Sequence, residues 1–211
     1  MFITFEGIDC SGKSTQIDLL VRKLNAHKHE VLIVREPGGT EISERIRALL
    51  LDLKHGEMDS GTELLLFSAS RSQLVSERIL PALAQGTIVI ADRFHDSTTA
   101  YQGYGRGIDI ESIMHIHAIA THGLIPDLSF FIDISIEESL RRRSARAGNI
   151  DRMETADESF FERVRNGYLS ISSLSPSRFR IIDGDRNPDA VSNDIWRWVK
   201  PTLLSNENIQ D

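Results

Sequence analysis

The 211-residue chain has a single cysteine, Cys10. One thiol excludes an intramolecular disulfide and any cysteine-based metal cluster. No apolar run approaches the ~20 residues that cross a membrane, and the N-terminus lacks the basic region and long apolar stretch of a signal peptide. A cytoplasmic protein without a membrane partner is therefore expected. A basic surplus is missing too. The net charge is −7, whereas a general nucleic-acid binder carries a basic footprint. Neither an internal repeat, a low-complexity tract nor a linker interrupts the chain. One domain over residues 1–211 is expected, ending in a polar tail, SNENIQD, expected to fray.

What is present suits one sizeable core: 40% of residues are hydrophobic and 26% charged. Five runs read as buried strands: FITFE (2–6), VLIVR (31–35), TIVIAD (87–92), LSFFIDI (128–134) and FRIID (179–183). Helical patterns lie between them. Alternating strands and helices predict an α/β fold, a doubly wound five-stranded parallel sheet covered on both faces. Ligands of such sheets bind beyond the carboxyl ends of the strands, where Glu6, Arg35, Asp92, Arg93 and Asp133 fall.

The first strand leads into GIDCSGKS, in which Gly7, Gly12, Lys13 and Ser14 meet the pattern of a phosphate-binding loop. Its flanks agree, because apolar residues recur at helical spacing through TQIDLLVRKL (15–24). Glycines let backbone N–H groups converge on an anion, and the helix start adds its positive dipole end. In such loops the lysine reaches the β- and γ-phosphates and the Ser14 hydroxyl ligates Mg²⁺.

A phosphate loop leaves several classes open. A GTPase switch needs an Asn-Lys-x-Asp segment, which does not occur, and a motor or transport ATPase usually needs more chain. A small-molecule kinase needs a second anion site, and candidates exist. Arg35 opens REPGGTE, where Gly38 and Gly39 permit close backbone approach to a phosphate. In LLLFSASRSQL, Phe67 and Arg71 are four apart and share one helical face. They suit a nucleobase, one stacking and the other donating, although Phe67 also reads as core packing. In DRFHDSTTAYQGYGRG a strand ends in Asp92-Arg93 and runs on to Tyr101 and Gln102. A last oddity is RRRSARAGNIDR (141–152), with five arginines and a single acid. It reads as a solvated basic face or as a cationic cover for anions.

Six segments occurring in family order, FEGIDCSGKST, REPGGT, FSASR, DRFHDSTTAYQG, GLIPDL and DRME, make the chain resemble the thymidylate kinases over almost its whole length. The resemblance implies transfer of the ATP γ-phosphoryl group to dTMP, with Mg²⁺ and a homodimeric assembly. The alternative is another nucleoside monophosphate or deoxynucleoside kinase. The resemblance further implies that Gly7, Ile8, Asp9, Cys10, Ser11, Gly12, Lys13, Ser14 and Thr15 hold ATP, with Asp9 also near the sugar 3′-hydroxyl and the reacting phosphates. Arg35 and Arg93 match phosphate-binding arginines, and Phe67 and Arg71 match the base stacker and base donor. Thr98 and Gln102 match polar groups at the base, and Tyr101 a ring crowding the 2′ position. Ser14 and Asp92 match the residues at Mg²⁺.

Two departures stand out. Phe94 replaces the tyrosine of the usual Asp-Arg-Tyr, so that hydroxyl is absent. Cys10 stands where one branch of the family has an arginine. In the other branch catalytic arginines come from a lid, here about residues 141–154. Arg146 and Arg152 are the expected lid cations, because they flank the AGNI turn.

Overall fold

In the computed structural model the described residues are 1–145 and 150–207. The chain runs β1 (Phe2–Glu6), α1 (Lys13–Ala26), β2 (Val31–Arg35), α2 (Glu41–Leu51), α3 (Ser60–Leu74) and α4 (Leu80–Ala84), then β3 (Ile88–Asp92) and α5 (His95–Thr98). It continues through α6 (Ile110–Ala120), β4 (Leu128–Asp133), α7 (Ile136–Ala145), α8 (Glu158–Leu174), β5 (Phe179–Asp183) and α9 (Pro188–Glu207). Wider π-helical turns extend α3 over Val75–Ile79 and α5 over Thr99–Gly105. α9 takes in the first three residues of the polar tail, and residues 208–211 lie outside the described set.

The strands form one parallel sheet in the order β2-β3-β1-β4-β5. Two strands start or stop one residue short of the apolar runs. Thr87 donates its N–H to Ala82 O, closing the end of α4, and the β4–β5 register ends at Asp133 opposite Asp183.

The central strands β1, β3 and β4 are buried on both faces, which is why they read as unbroken apolar runs, whereas the edge strands β2 and β5 expose Ile33 and Ile181. Ile3, Phe5, Ile90, Phe130 and Ile132 pack on one side against Leu20 and Leu24 of α1 and Ile195 and Val199 of α9. Phe2, Val89 and Ala91 face the other side with Leu74, Val75 and Ile79. Phe131 joins Phe160, Phe161, Val164 and Tyr168, the last four on α8. From β1 the chain runs towards the β2 edge of the sheet, and from β3 it passes β1 to reach β4 towards the opposite edge. The carboxyl ends of β1 and β3 therefore border the switch point where ligands of open sheets bind. Among the described residues no helix is long and apolar enough to cross a membrane.

Candidate active site

A cavity of about 860 Å³ opens over these strand ends. It runs from the glycine loop past Asp92 and Arg93 to Phe67, Arg71, Thr98, Tyr101 and Gln102. The loop half is shaped by backbone. Gly7 sits at φ +140°, and a Cβ there would lie 2.7 Å from Ile132 O. Gly12, in the left-handed region, caps the N-terminus of α1. Lys13 folds back over the loop and donates to Gly7 O at 3.2 Å and Ile8 O at 3.0 Å. Burial lowers its pKa, and Arg93 adds to that while Asp92, Asp9 and Glu6 oppose it. Ser14 and Thr15, in the first turn of α1, are exposed and line the cavity.

Arg93 ties the loop to the far half. Its Nη1 donates to Gly7 O at 2.7 Å, and its Nη2 to Asp9 Oδ1 at 2.7 Å and to the Tyr101 hydroxyl at 3.3 Å. Burial alone would lower its pKa, but Tyr101, Asp9, Tyr168 and Asp92 raise it well above the ordinary value, so the guanidinium stays charged. Its backbone is left-handed at φ +73°, a strained conformation for a long side chain. Arg93 N–H bonds Phe5 O at 2.9 Å and holds that turn. Beneath it Glu6 is fully buried, accepting from Phe94 N at 2.9 Å and Ser97 Oγ at 2.5 Å. Burial, reinforced by Asp96, pushes the Glu6 pKa up to about 8.

In the far half Arg71 is 1% exposed. Its Nε donates to Glu36 Oε2 at 2.7 Å, and its Nη2 to Phe94 O at 3.1 Å and Thr98 Oγ1 at 3.0 Å. Nη1 is buried with no protein acceptor, an unusual cost for a guanidinium donor. Burial raises the Glu36 pKa against the pull of Arg71. Phe67 is half-buried: it packs on the α8 cluster and also lines the cavity. Arg35 lines the cavity from the rim, bonded to Glu44 at 3.0 Å and to Pro37 O at 3.1 Å.

Of the two expected lid cations, Arg146 lies outside the described residues and only Arg152 falls among them. Arg152 does not face the loop. It is buried, with Nη1 2.7 Å from Glu63 Oε2 and Nε bonded to Leu50 O at 2.7 Å. A buried carboxylate outcompetes the cavity for this side chain. Among the described residues of the basic run, Arg142 reaches the loop. It donates to Ser11 O at 3.3 Å and Gly184 O at 3.0 Å, and Glu138 braces it at 2.6 Å. The missing tyrosine hydroxyl at position 94 also has an account. Phe94 is fully buried, packs edge-on to Phe2 at 4.9 Å and underlies Arg71 at 5.6 Å, so backbone atoms do its polar work.

Glu36, Glu63 and Arg142 were not singled out from the sequence. A signal existed for Glu63: with Phe67 and Arg71 it follows i, i+4, i+8 spacing on one helix face.

Comparison with known proteins agrees with this geometry. A family profile described as thymidylate kinase matches residues 5–195. The thymidylate kinase of Chlorobium chlorochromatii (strain CaD3) is 49% identical over 213 aligned residues, which cover 96% of each chain. That of Pelotomaculum thermopropionicum is 44% identical, covering 96% of this chain and 94% of its own. The crystal structure of thymidylate kinase from Ehrlichia chaffeensis superposes with a TM-score of 0.77 at 37% identity, covering 95% of this chain and 98% of that one.

Proposed function

The chain belongs to the thymidylate kinase family and transfers the γ-phosphoryl group of ATP to dTMP, giving dTDP and ADP; from that premise we propose how its residues divide the work. ATP lies along Gly7–Thr15, with its phosphates against the loop N–H groups and Lys13. dTMP takes the far half, with thymine on Phe67 and beside Arg71, Thr98 and Gln102, and the sugar against Tyr101. Arg35 and Arg93 take the acceptor phosphate. One observation carries this division: Arg93 bonds Gly7 O on one side and Tyr101 on the other, a fixed cation between two halves of one cavity.

Phosphoryl transfer asks for in-line placement and cationic stabilisation of the transferring group. Lys13, Arg93 and Arg142 supply charge at the loop, with Arg146 as a further cation. Asp9, bonded to Arg93, orients that guanidinium and sits where the sugar and phosphates meet. The Ser14 hydroxyl and the Asp92 carboxylate line the same cavity as hard oxygen donors. Among the described residues no group of three His, Cys, Asp or Glu forms a metal cage, which suits Mg²⁺, an ion that binds through one or two protein oxygens plus phosphates and water. Bound there, the ion neutralises phosphate charge.

The protein is placed in the cytoplasm and acts as a homodimer in this proposal. Support for the dimer lies in the exposed Ile42, Leu65 and Met114 on α2, α3 and α6, with α3 packed against the other two.

A coupled ADP-release assay over a panel of monophosphates tests the activity. dTMP should turn over far faster than dCMP, dGMP or dAMP. Equal rates with a purine monophosphate would overturn the assignment. Slow use of dUMP would not, because one methyl group contributes only about 1–3 kcal/mol of discrimination.

A further inference from the structure

Glu63 is 1% exposed and does not line the cavity, yet it gathers three side chains around it. Its Oε1 accepts from Gln102 Nε2 at 2.8 Å and Arg106 Nε at 3.1 Å. Its Oε2 accepts from Arg106 Nη2 at 3.1 Å and pairs with Arg152 Nη1 at 2.7 Å. The two arginines are themselves fixed. Arg106 lies over the Phe160 ring at 4.6 Å, and Arg152 is held by Leu50 O. Burial would push the Glu63 carboxyl up, but Arg106, Gln102 and Arg152 outweigh it and hold it below the ordinary carboxylate range.

An ionised carboxylate only accepts hydrogen bonds, so the Gln102 atom facing it is the amide nitrogen. That settles an orientation which an amide otherwise leaves open. With its NH₂ committed to Glu63, Gln102 has its carbonyl oxygen left for the cavity it lines. We infer that Glu63 sets base specificity without touching the nucleotide, by fixing the Gln102 amide so that its carbonyl oxygen meets the base. A pyrimidine whose N3 bears hydrogen, such as thymine, donates to that oxygen. Cytosine presents a lone pair there and is repelled. Glu63 is thus a positioning residue, and its role rests on the acceptor site proposed above. Sites that hydrogen-bond one substrate reject an analogue that leaves their buried groups unpaired, often strongly.

The test is Glu63→Gln, near-isosteric but able to donate as well as accept, so that residue 102 is free to turn over. The kcat/KM ratio of dTMP to dCMP is expected to fall at least about tenfold. KM for dTMP should rise while KM for ATP stays within about twofold. A Glu63 that merely supports the fold would lower Tm and leave the ratio alone. A folded Glu63→Gln variant with an unchanged ratio overturns the inference. If that variant does not fold, Gln102→Leu decides, since it leaves Glu63 and both arginines in place, and an unchanged ratio there is equally fatal. Wild-type enzyme in the same assay separates the two readings. Failure to prefer dTMP over dCMP sinks the acceptor assignment, whereas preference kept by wild type and variants alike sinks only the role of Glu63.

Discussion

Removing the guanidinium of Arg71 is the most informative single perturbation of the acceptor site. Arg71→Met keeps an unbranched side chain of similar length but strips the charge from beside Glu36, itself 6% exposed. Breaking a buried ion pair by deleting one partner costs about 3–5 kcal/mol. The bonds to Phe94 O and Thr98 Oγ1 are lost as well, at ~1 kcal/mol each. Glu36 limits the damage by taking up a proton. Burial already raises its pKa, and Arg71 is what opposes that rise. Without Arg71 the shift grows. A carboxyl whose pKa is raised on folding loses stability as pH climbs from its ordinary value towards the raised one. The deficit of Arg71→Met should therefore be about 4 kcal/mol near pH 8 and clearly smaller near pH 5.5.

Urea unfolding followed by tryptophan fluorescence measures this, with Trp196 partly buried against the α1–α9 core as the probe. A deficit under about 1 kcal/mol, or one that grows on acidification, would refute the buried pair. Arg71→Lys completes the experiment. It keeps a cation near Glu36 but cannot reproduce the planar donor fork. It should lose about 2 kcal/mol of stability and raise KM for dTMP about tenfold or more, with KM for ATP nearly unchanged.

Three further outcomes follow from the geometry. Phe67→Ala should raise KM for dTMP about tenfold, as loss of base stacking does, and leave KM for ATP unchanged. Equal loss of both substrates, or unfolding, would make Phe67 a core residue only. Arg142→Ala should lower kcat/KM for ATP at least about tenfold in single-turnover kinetics, whereas Arg141→Ala, paired with Glu138 and 70% exposed, stays close to wild type. Equal effects would remove Arg142 from the loop. Acid stability should depend on the buried pair His95 and His117. Burial lowers their pKa values to about 4 and about 2. A base depressed on folding stabilises above its unfolded pKa, and that contribution is lost as pH falls from about 6.5. Glu6 acts in the opposite sense, so the comparison must be with His117→Gln, which should lose about 2 kcal/mol less than wild type on going from pH 7 to 5. Identical acid profiles by urea unfolding would contradict the burial of a neutral His117.

The five strands could be read to within a residue because the central three, β1, β3 and β4, are buried on both faces and burial writes itself as an apolar run, and the edge strands β2 and β5 keep such a run although Ile33 and Ile181 are exposed. The glycine loop was equally plain, since Gly7 and Gly12 occupy backbone conformations that side chains disfavour. Side-chain direction was not. The run 141–152 announces cations, but nothing in it says that Arg142 turns to Ser11 O while Arg152 turns to Glu63. That choice depends on a carboxylate placed by another helix, far away in sequence. Glu36 was hidden for a similar reason. Its neighbour Arg35 drew attention as the strand-end charge, yet Arg35 is 48% exposed at the rim while Glu36 is buried under Arg71. The π-helical turn at Thr99–Gly105, which carries Tyr101 and Gln102, has no periodicity signal of its own.

A net charge of −7 opposes the approach of two anionic nucleotides. The pairings resolve this. Arg93 with Asp9, Arg71 with Glu36, Arg142 with Glu138 and Arg35 with Glu44 each set a guanidinium against a carboxylate. Part of the negative charge thus stands behind the cavity as bracing. A braced arginine contributes little long-range field, so the net charge cannot steer nucleotides from a distance. What it contributes is direction. Its remaining N–H groups point where the brace leaves them, and Arg71 Nη1, buried without a protein acceptor, is the clearest case. Recognition then rests on short-range donors fixed before the ligand arrives, which is the condition under which electrostatic stabilisation of a transferring phosphoryl group costs least reorganisation.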